Sequence, residues 1–407
     1  MEDFIEDFIA DDFWDEEPAS KKPRRTPQRW TRHEGKYTTT DVAEKILGGY
    51  YDWHDDLLVD DDVNLARQKE FRGRYRVPYS VYLDLLYECR LNGLGVSPNL
   101  RCGEGACIPL EVKVLTALRI LGRGMTRYDD MDHTKMGPAS IRVFFHDFCE
   151  MMSAKLREKY IYLPRNEAEL RRWMEPYEAA GFPGCWGSAD CVHVAWDRCP
   201  AGERHMYKRG DKDSETPTVV WNVISNNSRR VMSVSRAFPG TQCDKTISQN
   251  DDNMLKLRSG VLYKGTKFKL HTTPCKSEDC DTPYIITDGG YHKWPMLICA
   301  FVFTFVNRNV RLQTWSSRLG SLRKDAECCF GAIKARFRIL KLPFMLHTVE
   351  DIDNVFVTCC ILHNMTLEAD GLDTKWHSAA MSAAVTMCAV TGVPMRMTAS
   401  RATMMRT

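Results

Sequence analysis

SRLGSLRKDAECCFGAIKARFRIL, residues Ser317–Leu340, has the spacing of one helix. Leu319, Leu322, Ala326, Phe330, Ile333, Phe337 and Leu340 recur at three- and four-residue steps and make one apolar stripe. Arg318, Arg323, Lys324, Lys334, Arg336, Arg338 and Lys341 crowd the remaining surface. Glu327 sits at the margin of the stripe, one turn from Arg323 and from Phe330. A carboxylate so placed reaches the mouth of a site while its helix stays anchored in a core. Gly331, one turn further on, is expected to let another backbone come close. Taken alone, the stretch reads first as a basic amphipathic helix with a solvated Glu. Its surroundings change that reading.

Downstream, Val349–Glu368 predicts a last helix. Upstream, the apolar period shortens to that of strands. Cys185–Trp196, Thr218–Ser225 and Arg229–Ala237 read as strands, the last two as a hairpin around Asn226-Asn227. Ile247–Leu257 fits one helix, and Tyr284–Thr287 is a short apolar strand ending at Asp288. Asn166–Ala180 is an amphipathic helix before the first strand. That order suits an α/β domain with a mixed sheet over residues 166–370.

Residues 63–165 read as helical. Three short helices between Leu110 and Met152 have the layout of a helix-turn-helix DNA reader, and equally of any small helical bundle. Their middle segment, RYDDMDH, is acidic and matches phosphate poorly. Residues 1–62 read as a disordered tail, acidic and aromatic at first, then basic at Lys21, Lys22, Arg24 and Arg25. That basic cluster fits a nuclear localisation signal, a phosphate-binding arm or a solvated tail. Residues 371–407, rich in Met, Ala and Thr, receive no role.

A net charge of +2 excludes a globally basic protein, so any nucleic-acid contact must come from local patches. The sixteen cysteines follow no regular spacing and read as reduced thiols of an intracellular protein. Cys102 and Cys107 lie in a Gly- and Pro-rich loop without a second ligand pair, which gives zinc little support. The longest apolar run, Met296–Val306, is too short to span a bilayer as a helix, so no membrane partner is expected.

Three carboxylates then stand out. Asp190 lies within a strand pattern, Asp288 follows one directly before Gly289-Gly290, and Glu327 is on the helix. Each alone reads as a turn, cap or surface residue. Together they meet a chemical need: divalent ions held by oxygen ligands activate a water and stabilise the leaving oxygen of a phosphodiester. Arg323, Lys324 and Lys334, one or two turns from Glu327, are candidates for phosphate contact and equally for solvated charge. His193 points to the strand face opposite Asp190 and reads as structural.

The motifs GFPGCWGSADCVHVAWDRCP (181–200), FPGTQCD (238–244), ITDGGYHKWP (286–295), RKDAECCFGAIKARF (323–337) and CCILHNM (359–365) follow in this order. In them the chain resembles the PIF/Harbinger DDE transposases, most closely the plant-transposon-protein branch. The resemblance implies a ribonuclease H-like catalytic domain, with Asp190, Asp288 and Glu327 as catalytic acids and metal ligands. It implies Mg²⁺ or Mn²⁺ as cofactor and double-stranded DNA as substrate, cut at transposon ends with joining to target DNA. It further implies a nuclear protein with a Myb-like partner, and it leaves a homo-oligomer open. All three acids are retained, which favours an enzyme over a domesticated, non-catalytic DNA-binding or adaptor protein on the same scaffold. Two departures are visible. The run after Phe238-Pro239-Gly240 is Thr241-Gln242-Cys243-Asp244, where the family commonly has a small polar residue and Asn before the Asp, and 264–281 reads as a polar insertion.

Overall fold

The computed structural model describes residues 62–94, 108–134, 136–209, 216–263, 265–273, 276–301 and 310–372. The expected N-terminal tail up to residue 61 with its basic cluster, the loop holding Cys102 and Cys107, and the tail after residue 372 lie outside these residues. The chain divides into two compact units.

One unit holds the described residues up to Ala154, with Trp196–Arg198 and Phe337–Val355. Its helices are α1 (Asp62–Tyr75), α2 (Tyr79–Leu91), α3 (Leu110–Arg123), α4 (Arg127–Thr134) and α5 (Pro138–Met151). Pro109 precedes α3 and Pro138 opens α5, places where a missing N–H costs nothing. Phe71, Tyr82, Leu118, Phe145 and Phe148 form part of the core. The acidic segment RYDDMDH is α4, and it buries one of its carboxylates: Asp130 is inaccessible and pairs with Arg119 at 3.2 Å.

The other unit holds Lys155–Ala195, Cys199–Arg336 and the chain from Phe356. It is α/β with a mixed sheet, compatible with the ribonuclease H-like expectation. Helix α6 (Glu167–Ala179) begins where Asn166 accepts a hydrogen bond from the Glu169 amide, while the Glu169 carboxylate accepts one from the Arg165 amide. The strands are β1 (Cys185–Ala195), β2 (Thr218–Ser225), β3 (Val231–Val234), β4 (Phe238–Pro239), β5 (Phe268–Thr273), β6 (Lys276–Cys280), β7 (Tyr284–Ile286) and β8 (Leu297–Ile298). The main sheet runs β3-β2-β1-β7-β8, with β4 on β2. β1 is antiparallel to β2 and parallel to β7. Every residue of β2 is buried, as expected of a strand covered on both faces.

Several elements differ from their sequence reading. The expected single helix over 247–257 is two, α7 (Asp244–Gln249) and α8 (Asp252–Arg258). Asp251 separates them by capping α8, accepting from the amides of Asn253 and Met254. The strand expected over 229–237 is confined to β3, because Arg229 has φ +62° and belongs to the hairpin turn. The polar insertion over 264–281 carries the β5–β6 hairpin.

The stretch Ser317–Leu340 differs as well. Its helix, α9, starts earlier and ends earlier, at Val310–Arg336. Phe337 is extended, and Arg338–Leu340 form a 3₁₀ turn. Leu319, Ala326 and Ile333 of the stripe are buried, and α9 packs on β1, β2 and β7. Gly331 is exposed, and a Cβ there would meet nothing within 4 Å, so no backbone approaches it.

Helix α10 (Val349–Ala369) lays Phe356 flat on Trp221 of β2, with ring centroids 4.0 Å apart. Asn364 then treats the edge strand β3 as a neighbouring strand would. Its Oδ1 accepts from the Val231 amide at 3.0 Å, and its Nδ2 donates to the Val231 carbonyl at 2.7 Å. Among the described residues no helix is long and apolar enough to cross a membrane.

Candidate active site

Register places the first two acids. β1 and β7 are parallel, with Ser188 opposite Ile286. Asp190 and Asp288 each lie two residues beyond that pair. Side chains repeat every second residue along a strand, so the two carboxylates stand on the same face of neighbouring strands. Helix α9 covers this face and brings Glu327.

Asp190 is mostly buried; its Oδ1 accepts from the Cys191 amide at 2.9 Å. Its Oδ2 accepts from Arg323 Nη1 at 3.1 Å, and Arg323 Nη2 lies 2.7 Å from Glu327 Oε1. One guanidinium therefore bridges two of the three acids. Burial pushes the Asp190 carboxyl up to about 6; Arg323 and the Cys191 amide pull the other way, while Asp288 and Glu327 add repulsion. Burial outweighs the ion pair. Asp190 thus feels the charge of both Asp288 and Glu327.

A fourth acid joins them. Asp288 Oδ1 accepts from the Gly290 amide at 2.8 Å. A Cβ on Gly290 would stand 2.5 Å from Asp244 Oδ2 and 3.0 Å from Asp288 Oδ1. The two carboxylates thus face the same small space, which only a glycine leaves open. Asp244 is half-buried, and burial raises its pKa; the Cys191 thiol and Arg209 oppose that shift, and Asp288 adds to it. Below it runs a polar chain: Tyr291 OH lies 3.4 Å from Cys191 Sγ and donates to Asn222 Oδ1 at 2.6 Å, and Asn222 Nδ2 donates to Asp251 at 2.7 Å. Asp244 stands at the end of the FPGTQCD motif, and that position was the available signal. Its alignment with Asp288 depends on where β4 and α7 carry it.

The basic candidates separate. Arg323 is bound to the acids. Lys324 is exposed. Lys334 donates to the His193 carbonyl at 2.8 Å, and burial lowers its pKa. His193 Nδ1 lies 3.2 Å from Thr218 Oγ1.

The donor set is all oxygen and anionic, which fits a hard divalent cation. A cation already lies among these oxygens, the Arg323 guanidinium. With side chains so placed, no three of His, Cys, Asp and Glu surround one point among the described residues. The carboxylate chemistry suits a metal, and the guanidinium already bridges two of the acids that would hold it.

An acid within a central strand, a second past the end of its parallel neighbour and a third on the covering helix define a carboxylate-centred α/β protein. The chain belongs to the plant transposon protein family, the Harbinger-type transposase-derived nucleases; the family model matches residues 158–374. The chain is 22% identical over 274 residues to ALP1-like of Arabidopsis thaliana, covering 67% of this chain and 64% of that protein. It is 24% identical over 293 residues to HARBI1 of Rattus norvegicus, whose name gives it provisionally as a nuclease, covering 70% of this chain and 74% of that one. HARBI1 of Homo sapiens is 22% identical over 288 residues with the same coverage. No solved structure matches the chain.

Proposed function

We propose that this protein is a metal-dependent DNA nuclease of transposase type with a ribonuclease H-like catalytic unit. The observation that supports the reading is geometric: Asp190 and Asp288 stand on one face of the sheet, and Arg323 ties Asp190 to Glu327 on the covering helix. These acids, with Asp244 beside Asp288, would hold Mg²⁺ or Mn²⁺. Such ions, when bound, supply water activation and stabilisation of the leaving oxygen. The chain's own part is to fix the carboxylates. Asp190 is fixed by the Cys191 amide, Asp288 by the Gly290 amide, and Asp244 by its Cys191 contact over the Tyr291–Asn222–Asp251 chain. Double-stranded DNA is the substrate. Lys324 contacts phosphate from the exposed side of α9, and the helices α3–α5 are a candidate DNA reader. Joining of the cut 3′ end to target DNA, nuclear entry through the basic cluster at Lys21–Arg25, a Myb-like partner and self-association belong to the same reading.

One observation favours a second reading. Arg323 neutralises Asp190 and Glu327 together, which suits a domesticated DNA-binding or adaptor protein that no longer needs a metal. Fold alone does not separate the two.

The test is cleavage of a supercoiled plasmid carrying the genomic flanks of the coding region. The purified full chain is used with Mg²⁺ or Mn²⁺, beside Asp288→Asn and Glu327→Gln. Metal-dependent cleavage lost in both variants is expected. DNA binding without cleavage, unchanged by either variant, would establish the adaptor instead.

A further inference from the structure

Arg323 makes more than an ordinary helix-surface pair. An i,i+4 bond to Glu327 alone contributes little in water. Here the second arm of the same guanidinium reaches Asp190, 133 residues away on β1, where burial cuts solvent screening. The planar fork of Arg suits two carboxylates at once. Asp190, Asp244, Asp288 and Glu327 bring four acidic side chains to one site, and Arg323 is the cation bound to two of them. A divalent ion would be held by the same carboxylates, Asp190 and Glu327, that Arg323 holds. Two cations cannot occupy one position.

We propose that Arg323 is the resident counter-cation of this site: it holds Asp190 and Glu327 together until a divalent metal displaces it, and its fork then turns outward. The inference rests on the metal-site reading above and adds an exchange step to it. Arg323 is a positioning residue in this scheme, so removing it frees the metal's ligands rather than deleting one. The freed guanidinium, at the site mouth, has the geometry to take a phosphate.

The experiment is Mn²⁺ binding to the full chain, without DNA, at pH 8, read by electron paramagnetic resonance of free Mn²⁺. The expected result is tighter binding by Arg323→Gln, by roughly tenfold or more, the size of effect an opposite charge at this distance has on an ionic equilibrium. Arg323→Lys, which keeps the charge and loses the fork, should tighten binding less. Lys324→Gln, which removes a neighbouring charge that bridges nothing, should leave it unchanged. Unchanged or weaker binding by Arg323→Gln would overturn the exchange, as would equal tightening by Lys324→Gln. Asp288→Asn separates the two levels. Binding that depends on Asp288 but ignores Arg323 sinks only the exchange. Binding indifferent to Asp288, or absent from every form, sinks the metal site and the exchange with it.

Discussion

The Gly290 amide donates to Asp288 Oδ1 at 2.8 Å, and the side chain that Gly290 lacks would collide with Asp244 Oδ2. Backbone and missing side chain thus act on two acids at once. Gly290→Ala should lower cleavage by roughly a hundredfold through displaced carboxylates. Its stability should change by less than about 1 kcal/mol, because the position is exposed and the displaced atoms are side-chain ends. Gly289→Ala, where a Cβ meets nothing within 4 Å, should cleave normally. Parallel cleavage assays and urea unfolding of the two variants check this. Equal loss in both would show that the loop, not the carboxylates, is at stake.

Asp190 carries a cost of burial. Its carboxyl is raised to about 6 in the folded protein, against about 3.9 in an unfolded chain. Between these values the native state binds the extra proton, so this group's contribution to stability falls as pH rises and is at its worst above pH 6. Asp190→Asn should therefore stabilise the protein at pH 7.5, by about 1–3 kcal/mol, while abolishing cleavage. The gain should shrink as pH falls toward 4. Urea midpoints of both proteins across that range decide it; a gain that grows toward low pH would contradict the sign.

His363 shows the opposite sign. It is fully buried, its Nδ1 lies 3.0 Å from Arg336 Nη1, and its Nε2 lies 2.8 Å from the Arg229 carbonyl. A neutral ring with the proton on Nε2 satisfies both contacts: it donates to the carbonyl and accepts from Arg336. Burial first, then the Arg336 charge, lowers its pKa to about 3. As pH falls through 6.5 the unfolded chain takes up a proton that the native ring refuses, so this contribution is lost on acidification. His363→Ala should cost about 2–4 kcal/mol at pH 7.5, by leaving buried polar groups unpaired. The difference from wild type should narrow below pH 6.5. Thermal or urea unfolding at several pH values reads it directly.

Lys334 and Lys324 should part company in DNA binding. Lys334 Nζ serves the His193 carbonyl. Lys334→Ala should cost about 1–2 kcal/mol of stability and leave the salt dependence of DNA binding unchanged. Lys324→Ala should leave stability within about 0.5 kcal/mol and reduce the slope of log affinity against log salt by about one. A slope reduced by Lys334→Ala would return that residue to the DNA surface.

The local pattern made most elements legible. Strand-period apolar runs marked β1 and β2, and the amphipathic run from Asn166 to Ala180 marked α6. Sequence reading failed where a cap or a turn overrode the apolar pattern, and where residues far apart in the chain meet. Asp251 breaks 247–257 into two helices by capping the second. Arg229 leaves the strand pattern because its φ is positive. Asp244 was in view within its motif, but nothing local said that it would face Asp288.

The sequence by itself determined which residues carry charge, which faces are apolar and which family the motifs belong to, because these follow from residue type and spacing along the chain. Only the tertiary structure decided which charges meet. Parallel pairing of β1 with β7 put Asp190 beside Asp288, and the packing of α9 on that sheet let one guanidinium reach both Asp190 and Glu327. Coulomb energies depend on distance and burial, and for residues a hundred positions apart both are set by packing alone.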